Sequence, residues 1–238
     1  MFNFNGQTVM VAGATGNLGR AVAQAFHAAD ANLVLIDRGR DRLARQFPEW
    51  QSSAKAHFAN EVDATDPTAV AAAVTAAVDR FGRLDVLVNT VGTYRGGKPV
   101  AEAPLEDWDF LMQINARSML VPAWAVVPRM LEQGSGKIVS VAARAGVVGD
   151  ARQGMYSASK SAVIRLTESL AAELRDANIN VNCVLPGTLD TPENREQMPK
   201  SDFSRWVPPA AIADVILFLA SGAARAIQGA AVPVYGRS

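Results

Sequence analysis

The chain has 238 residues and 49% hydrophobic content, enough to bury a full core in one α/β domain and short for two. Lys plus Arg and Asp plus Glu both number 23, so no overall field attracts nucleic acid or an anionic membrane, and neither partner is expected. Cys183 is the single cysteine, which excludes an internal disulfide and a cysteine-based metal cluster, and two histidines, His27 and His57, are too few for a His-rich site, so no metal is expected.

The opening residues, Met1 to Gly6, lack a basic region followed by an apolar run, and no uncharged apolar stretch approaches the roughly 18 residues of a membrane span; a cytoplasmic protein is expected. Thr8–Ala12 reads as a strand. It runs into Gly13-Ala14-Thr15-Gly16-Asn17-Leu18-Gly19, after which residues 21–29 read as helix. Glycines between a buried strand and a helix let backbone N–H groups approach a pyrophosphate at the positive helix end, although such a turn can also be purely structural. The spacing is G-x-x-G-x-x-G, not G-x-G-x-x-G. Gly13, Thr15, Gly16, Asn17, Leu18 and Gly19 are the first candidates for cofactor binding.

Residues 32–37 form a second apolar strand ending in Asp37, about 20 residues beyond the glycines, where a ribose diol is usually held. A carboxylate there accepts from both ribose hydroxyls and repels a 2′-phosphate, which favours NADH. The guanidinium of Arg38, with Arg40 and Arg42 nearby, could accommodate that phosphate, so NADPH stays possible. Residues 56–62 read as a third strand, followed by Asp63, Ala64 and a helix over 67–78 with Pro67 in its first turn. Residues 84–89 read as the fourth strand, leading into a loop with Gly92, Gly96 and Gly97.

Residues 105–133 carry a long helical pattern interrupted by Pro122 and Pro128, either of which could kink it. Asn115 lies inside it, where a polar side chain is disfavoured unless it has a task; capping a kink is the plain alternative. Residues 138–141 read as strand five, 155–174 as a helix, 180–185 as strand six ended by Pro186-Gly187, 212–219 as a helix and Ala231–Val234 as an edge strand, where Pro233 is tolerable. The connection over 188–209 is long for a plain link and holds Met198, Phe203 and Trp206, which suggests a substrate lid. Strands alternating with helices imply a doubly wound parallel sheet with ligands at its C-terminal edge.

Tyr156 and Lys160 lie four residues apart and therefore on one helix face. A free tyrosine titrates near ~10, so acid–base work at neutral pH asks for a fall of ~3 units, and one fixed cation at ~4 Å supplies about that much at an effective dielectric near 20. Lys160 is thus expected to activate Tyr156.

Taken together, the Gly13 turn, Asn89, Asn115, Tyr156 with Lys160, and Pro186-Gly187 resemble the short-chain dehydrogenase/reductase family over essentially the whole chain. The resemblance implies one Rossmann-type domain with a seven-stranded parallel sheet, residues 1–92 mainly binding the dinucleotide and 93–238 carrying the catalytic pair and the lid. It implies NAD(P)H-dependent hydride transfer, with Tyr156 as proton donor or acceptor, Lys160 on the nicotinamide ribose and Asn115 supporting a relay. It also implies that Asp63 with Ala64 contacts adenine, that Asn89, Thr90 and Gly92 contact the adenosine side, and that Pro186, Gly187, Thr188, Leu189 and Thr191 line the nicotinamide. Ala143, Arg144, Tyr94 and Trp206 are the substrate-side candidates. A small-molecule substrate and a homodimer or homotetramer are implied as well.

Two departures follow. The family's usual serine thirteen residues before the tyrosine is Ala143 here, and losing one donor to a developing oxyanion typically costs ~10²–10³ in rate. A degenerate enzyme, a substitute donor such as water or Ser140, and an unusual substrate are the three explanations. Residues 185–206, with Leu185-Pro186, Thr188-Leu189-Asp190-Thr191-Pro192, Asn194-Arg195, Met198-Pro199, Asp202-Phe203-Ser204 and Trp206, are similar to the quinonoid dihydropteridine reductase branch. That branch also lacks the serine, has a basic residue where Arg144 stands and prefers NADH; a conjugated C=N acceptor spreads charge and forms no isolated alkoxide. The rivals are an alcohol or ketone oxidoreductase of the same family and a dinucleotide-binding protein without catalysis. The tail Val234-Tyr235-Gly236-Arg237-Ser238 departs from the family's acidic, double-glycine ending.

Overall fold

The computed structural model describes residues 2–237; Met1 and Ser238, the outermost residues of the two terminal segments read above, lie outside the described residues. Seven strands form one sheet: β1 Thr8–Ala12, β2 Asn32–Ile36, β3 Ala56–Ala59, β4 Val86–Asn89, β5 Gly136–Val141, β6 Ile179–Pro186 and β7 Ala231–Val234. Their order is β3-β2-β1-β4-β5-β6-β7 and every neighbouring pair is parallel. β1 and β6 are buried along their whole length, so β1 shows no polar alternation and the two asparagines inside β6, Asn180 and Asn182, are held by hydrogen bonds to the chain around Ile227 and Ala230.

Helices cover both faces. α1 (Asn17–Ala28) and α8 (Pro209–Ala220) pack Val22, Phe26, Ile212 and Ile216 against Val9, Val11, Leu33 and Leu35. On the other face α3 (Pro67–Phe81), α5 (Ser118–Gln133) and α6 (Gly154–Leu174) pack Val74, Val126, Met130 and Leu174 against Met10, Val34, Leu87 and Ile138. The direction of the winding reverses between β1 and β4, which opens a crevice at the C-terminal ends of the strands.

The structure differs from the sequence reading in several places. β3 stops at Ala59 instead of Val62, because Val62 N–H already bonds the Asp37 carbonyl and the chain turns there. α1 begins at Asn17, inside the glycine motif. α5 runs unbroken through Pro122 and Pro128. The irregular turn lies just before it, a π-helical segment Met112–Arg117 between α4 (Leu105–Leu111) and α5 that contains Asn115. By length and mean hydropathy, 1.2, the helical stretch Leu105–Gln133 could cross a bilayer, yet half of that window is buried inside the protein. The connection expected as a loop contains α7 (Pro192–Gln197) and is tied across itself by Val207 N–H to Thr188 O at 2.8 Å and Asp190 N–H to Val207 O at 2.9 Å.

Candidate active site

A cleft of about 390 Å³ opens at the crevice, and the glycine turn forms one wall of it with Gly16, Asn17, Leu18 and Gly19. A Cβ at Gly19 would stand 2.1 Å from the Gly13 carbonyl oxygen, so only glycine lets the helix start fold so close under the turn. Gly16 precedes α1 and no side chain caps the helix, leaving its first N–H groups for a ligand's anion. Thr90 fastens this wall to the sheet, its hydroxyl donating to Ala12 O at 2.8 Å. The cradle suits a pyrophosphate.

Asp37 directly follows β2 and is buried, at 6% exposure. Its carboxylate accepts from the Thr15 hydroxyl and from Gly39 N–H at 2.9 Å, and Arg42 Nη1 lies 3.5 Å away. Arg42, not Arg38, is therefore the paired cation; Arg38 is exposed. Asp63 Oδ1 accepts from the backbone N–H and hydroxyl of Thr65, shaping the turn that also carries Ala64. Asn89 is buried at the end of β4, its Oδ1 accepting from Val91 N–H at 3.2 Å.

The catalytic candidates converge deeper in the cleft. Tyr156 and Lys160 stand on the first turns of α6, and both line it. Lys160 is buried, and its Nζ donates to the Val141 carbonyl at 3.0 Å. Asn115 holds the loop after β4: its Oδ1 accepts from Thr93 N–H at 2.9 Å, and its Nδ2 donates to Thr93 O at 3.1 Å and Ser159 Oγ at 2.9 Å. A Cβ at Gly92 would meet Asn115 Oδ1 and Lys160 Nζ at 2.9 Å each, so glycine is what lets the loop pass beside both.

Burial pushes the Tyr156 phenol up to about 12, with Tyr94 beside it adding in the same direction. Burial likewise lowers Lys160 to about 8. The expected lowering of Tyr156 by Lys160 is not found in this arrangement: desolvation outweighs the cation, whose nitrogen is turned to the Val141 carbonyl. The Tyr156 phenol is thus neutral at ordinary pH.

On the substrate side, Ala143 lines the cleft in extended backbone and presents only a methyl group. Tyr94 packs edge-on against Tyr156, ring centroids 5.0 Å apart, and is largely exposed. Pro186, Gly187, Leu189 and Thr191 also line the cleft. Arg144 instead points along Tyr235, its guanidinium 5.6 Å from that ring. Trp206 is buried against Phe203, beneath the connection and away from the cleft wall. Ser140 sits within β5, buried with its hydroxyl unpartnered, and does not line the cleft.

Sequence reasoning missed three residues. Thr93 carries the backbone that Asn115 grips, and Ser159 bridges Asn115 to the Tyr156 carbonyl, at 2.8 Å from that oxygen. Glu193, on α7, accepts from Asn17 Nδ2 at 2.8 Å and so ties the 188–209 connection to the start of α1. Its own backbone N–H and Asn17 hold the Glu193 carboxyl below the usual range. Only a G-x-x-G-N turn facing an acidic lid residue could have hinted at that pair.

Residues 7–202 match the family model for the short chain dehydrogenases. The chain is 33% identical to the D-threitol dehydrogenase of Mycolicibacterium smegmatis, covering 99% of this chain and 94% of that one. Among solved structures it resembles NAD+-bound xylitol dehydrogenase, with TM-score 0.90, 28% identity and coverage of 98% and 99%, and ElxO with NADP bound, with TM-score 0.88, 26% identity and coverage of 97% of each chain. Neither dinucleotide is singled out by these likenesses, and none of them bears on the pterin branch.

Proposed function

Since the chain belongs to the short-chain dehydrogenase family, and is with it a nicotinamide-dinucleotide-dependent oxidoreductase acting on small molecules, we propose that it prefers NADH and reduces an acceptor whose reacting C=O or C=N bond is conjugated. The observation that carries this reading is the methyl group of Ala143 in the cleft wall. A simple ketone develops a localised alkoxide on reduction, and a missing donor there costs about 10²–10³ in rate. A conjugated acceptor spreads that charge and asks less of the wall. Quinonoid dihydropterin is the specific acceptor proposed, because residues 185–206 are similar to the quinonoid dihydropteridine reductase branch.

The bound dinucleotide supplies the hydride. The glycine turn would hold its pyrophosphate, and Asp37 its adenosine ribose, where the buried carboxylate disfavours a 2′-phosphate. Tyr156, protonated throughout the neutral range, would give its phenolic proton to the acceptor oxygen or nitrogen. Lys160, a cation below about pH 8, would hold the nicotinamide ribose. Asn115 and Ser159 fix the backbone on either side of this pair.

A second reading, an alcohol or ketone oxidoreductase, is favoured by the likeness to D-threitol dehydrogenase. Assay of the protein and its Ala143→Ser variant with NADH separates the two. Ala143→Ser should raise turnover of simple ketones severalfold or more while reduction of quinonoid 6,7-dimethyldihydropterin stays within a few-fold. Should neither protein reduce the pterin while both bind NADH, the alcohol or ketone reading takes its place.

Exposed Trp108, Phe110, Leu120, Trp124 and Leu131 on α4 and α5 support a homodimer or homotetramer, which light scattering would check. A cytoplasmic setting fits the balanced charge and lone buried Cys183.

A further inference from the structure

Beside the cleft lies a second, small hollow of about 70 Å³, lined by the loop after β4, by α4 and by the start of α6. Three cations, Arg95, Lys98 and Arg152, stand in its wall with one carboxylate, Asp107. Arg95 Nη1 lies 2.7 Å from Asp107, and its guanidinium lies 3.9 Å above the Phe110 ring, so that charge is already matched. Among the described residues neither Lys98 nor Arg152 has a carboxylate at ion-pair distance. The hollow therefore carries about two uncompensated positive charges on a chain whose formal net charge is zero. Val100, Ala103, Leu111 and Met155 provide apolar wall between them.

The hollow and the cleft share a partition. Tyr94 and Tyr156, packed edge to face, line the cleft, while their chain neighbours Arg95 and Met155 line the hollow. The Gly97 N–H bonds the Arg152 carbonyl at 2.8 Å, which fixes the two cation-bearing loops against each other. A Cβ at Gly96 would stand 2.5 Å from the Tyr94 hydroxyl, so the chain lies directly against the partition.

We infer that this hollow holds the anionic end of the substrate, a carboxylate or a phosphate, while the reacting carbon lies beside Tyr156. The inference rests on the alcohol or ketone reading above for the identity of the occupant, since a quinonoid dihydropterin carries no carboxylate or phosphate. An apolar stem would lie along Val100 and Met155, and its charge would meet Lys98 and Arg152. Partly exposed charge pairs of this kind contribute about threefold each, so the two together give roughly a tenfold preference, weakened by salt.

The test titrates the protein–NADH complex with hexanoate, hexyl phosphate and hexan-1-ol by calorimetry, for the native chain and for Lys98→Ala/Arg152→Ala. Hexanoate or hexyl phosphate should bind roughly tenfold more tightly than hexanol, the stronger of the two naming the anion. The double variant should lose that preference while binding hexanol and NADH as before. Equal affinity for the anions and hexanol in the native chain overturns the inference, as does a variant that weakens all three ligands alike. Reduction of 5-oxohexanoate and its methyl ester supplies the second arm, with the acid expected to have about tenfold higher kcat/KM, lost in the variant. If neither compound turns over while hexanoate still shows charge-dependent binding, the ketone substrate is wrong and the anion site stands.

Discussion

Replacing Lys160 by methionine should make the protein more stable and inactive at once. Methionine keeps most of the stem's volume and removes a charge that folding has taken out of water. The group titrates at 10.5 when free and at about 8 in the fold, and that difference, at about 1.4 kcal/mol per pH unit, comes to about 3 kcal/mol. Loss of the bond from Nζ to Val141 O returns about 1 kcal/mol of this. The variant should therefore be more stable by about 2 kcal/mol at pH 7. Because folding lowers this pKa, the native protein's stability from the group is present above pH 10.5 and is lost as pH falls through about 8. Urea unfolding followed by circular dichroism should show the gap at pH 7 and close to none near pH 10. A variant no more stable than the native chain at pH 7, or a gap of the same size at both pH values, would refute the argument that Lys160 is a desolvated cation kept for function.

Tyr156→Phe should lower reductive turnover by two or more orders of magnitude with little change in NADH affinity, since the hydroxyl serves the proton transfer; full retained activity would remove Tyr156 from the chemistry. Reduction by the native protein should decline as pH rises through about 8, where Lys160 loses its charge, whereas Tyr156, pushed up to about 12, stays protonated; a pH–rate profile flat to pH 10 counts against this. Asp37→Ala should narrow the preference for NADH over NADPH in calorimetric titrations, and tighter NADPH binding by the native chain would show that Arg38 controls the site. Glu193→Gln should tighten NADH binding about two- to fivefold, because a carboxylate held at the start of α1 repels a pyrophosphate. Weaker binding in that variant would mean that the Asn17–Glu193 contact instead secures the dinucleotide.

The parts of the site legible in the sequence are those set by local rules. The glycine turn was readable because a tight approach between a strand and a helix excludes a Cβ, and Gly19 meets the Gly13 carbonyl as that rule requires. Tyr156 and Lys160 were readable because four residues return a helix to the same face, and both do line one cleft. Asn115 stood out as a polar residue in a helical pattern, but its π-helical turn and its grip on Thr93 and Ser159 depend on partners 22 and 44 residues away. Aromatic content suggested that Trp206 faces a substrate, and the fold buries it against Phe203 instead.

The chain's own order of apolar runs and helical periods determined a doubly wound parallel sheet, since each element's burial pattern is written in residues a few places apart, and the count of seven strands followed from the family resemblance. Charge states and long-range pairings were decided by the tertiary structure alone. How far Lys160 titrates from its free value depends on how much water the fold removes around it, and the contact of Asn17 with Glu193 joins residues 176 apart. The same holds for the hollow beside the cleft, where Lys98 and Arg152 become neighbours only because the loop after β4 and the approach to α6 are hydrogen-bonded together. Local spacing constrains which face a side chain takes, whereas desolvation and the meeting of distant charges arise only when the whole chain has closed.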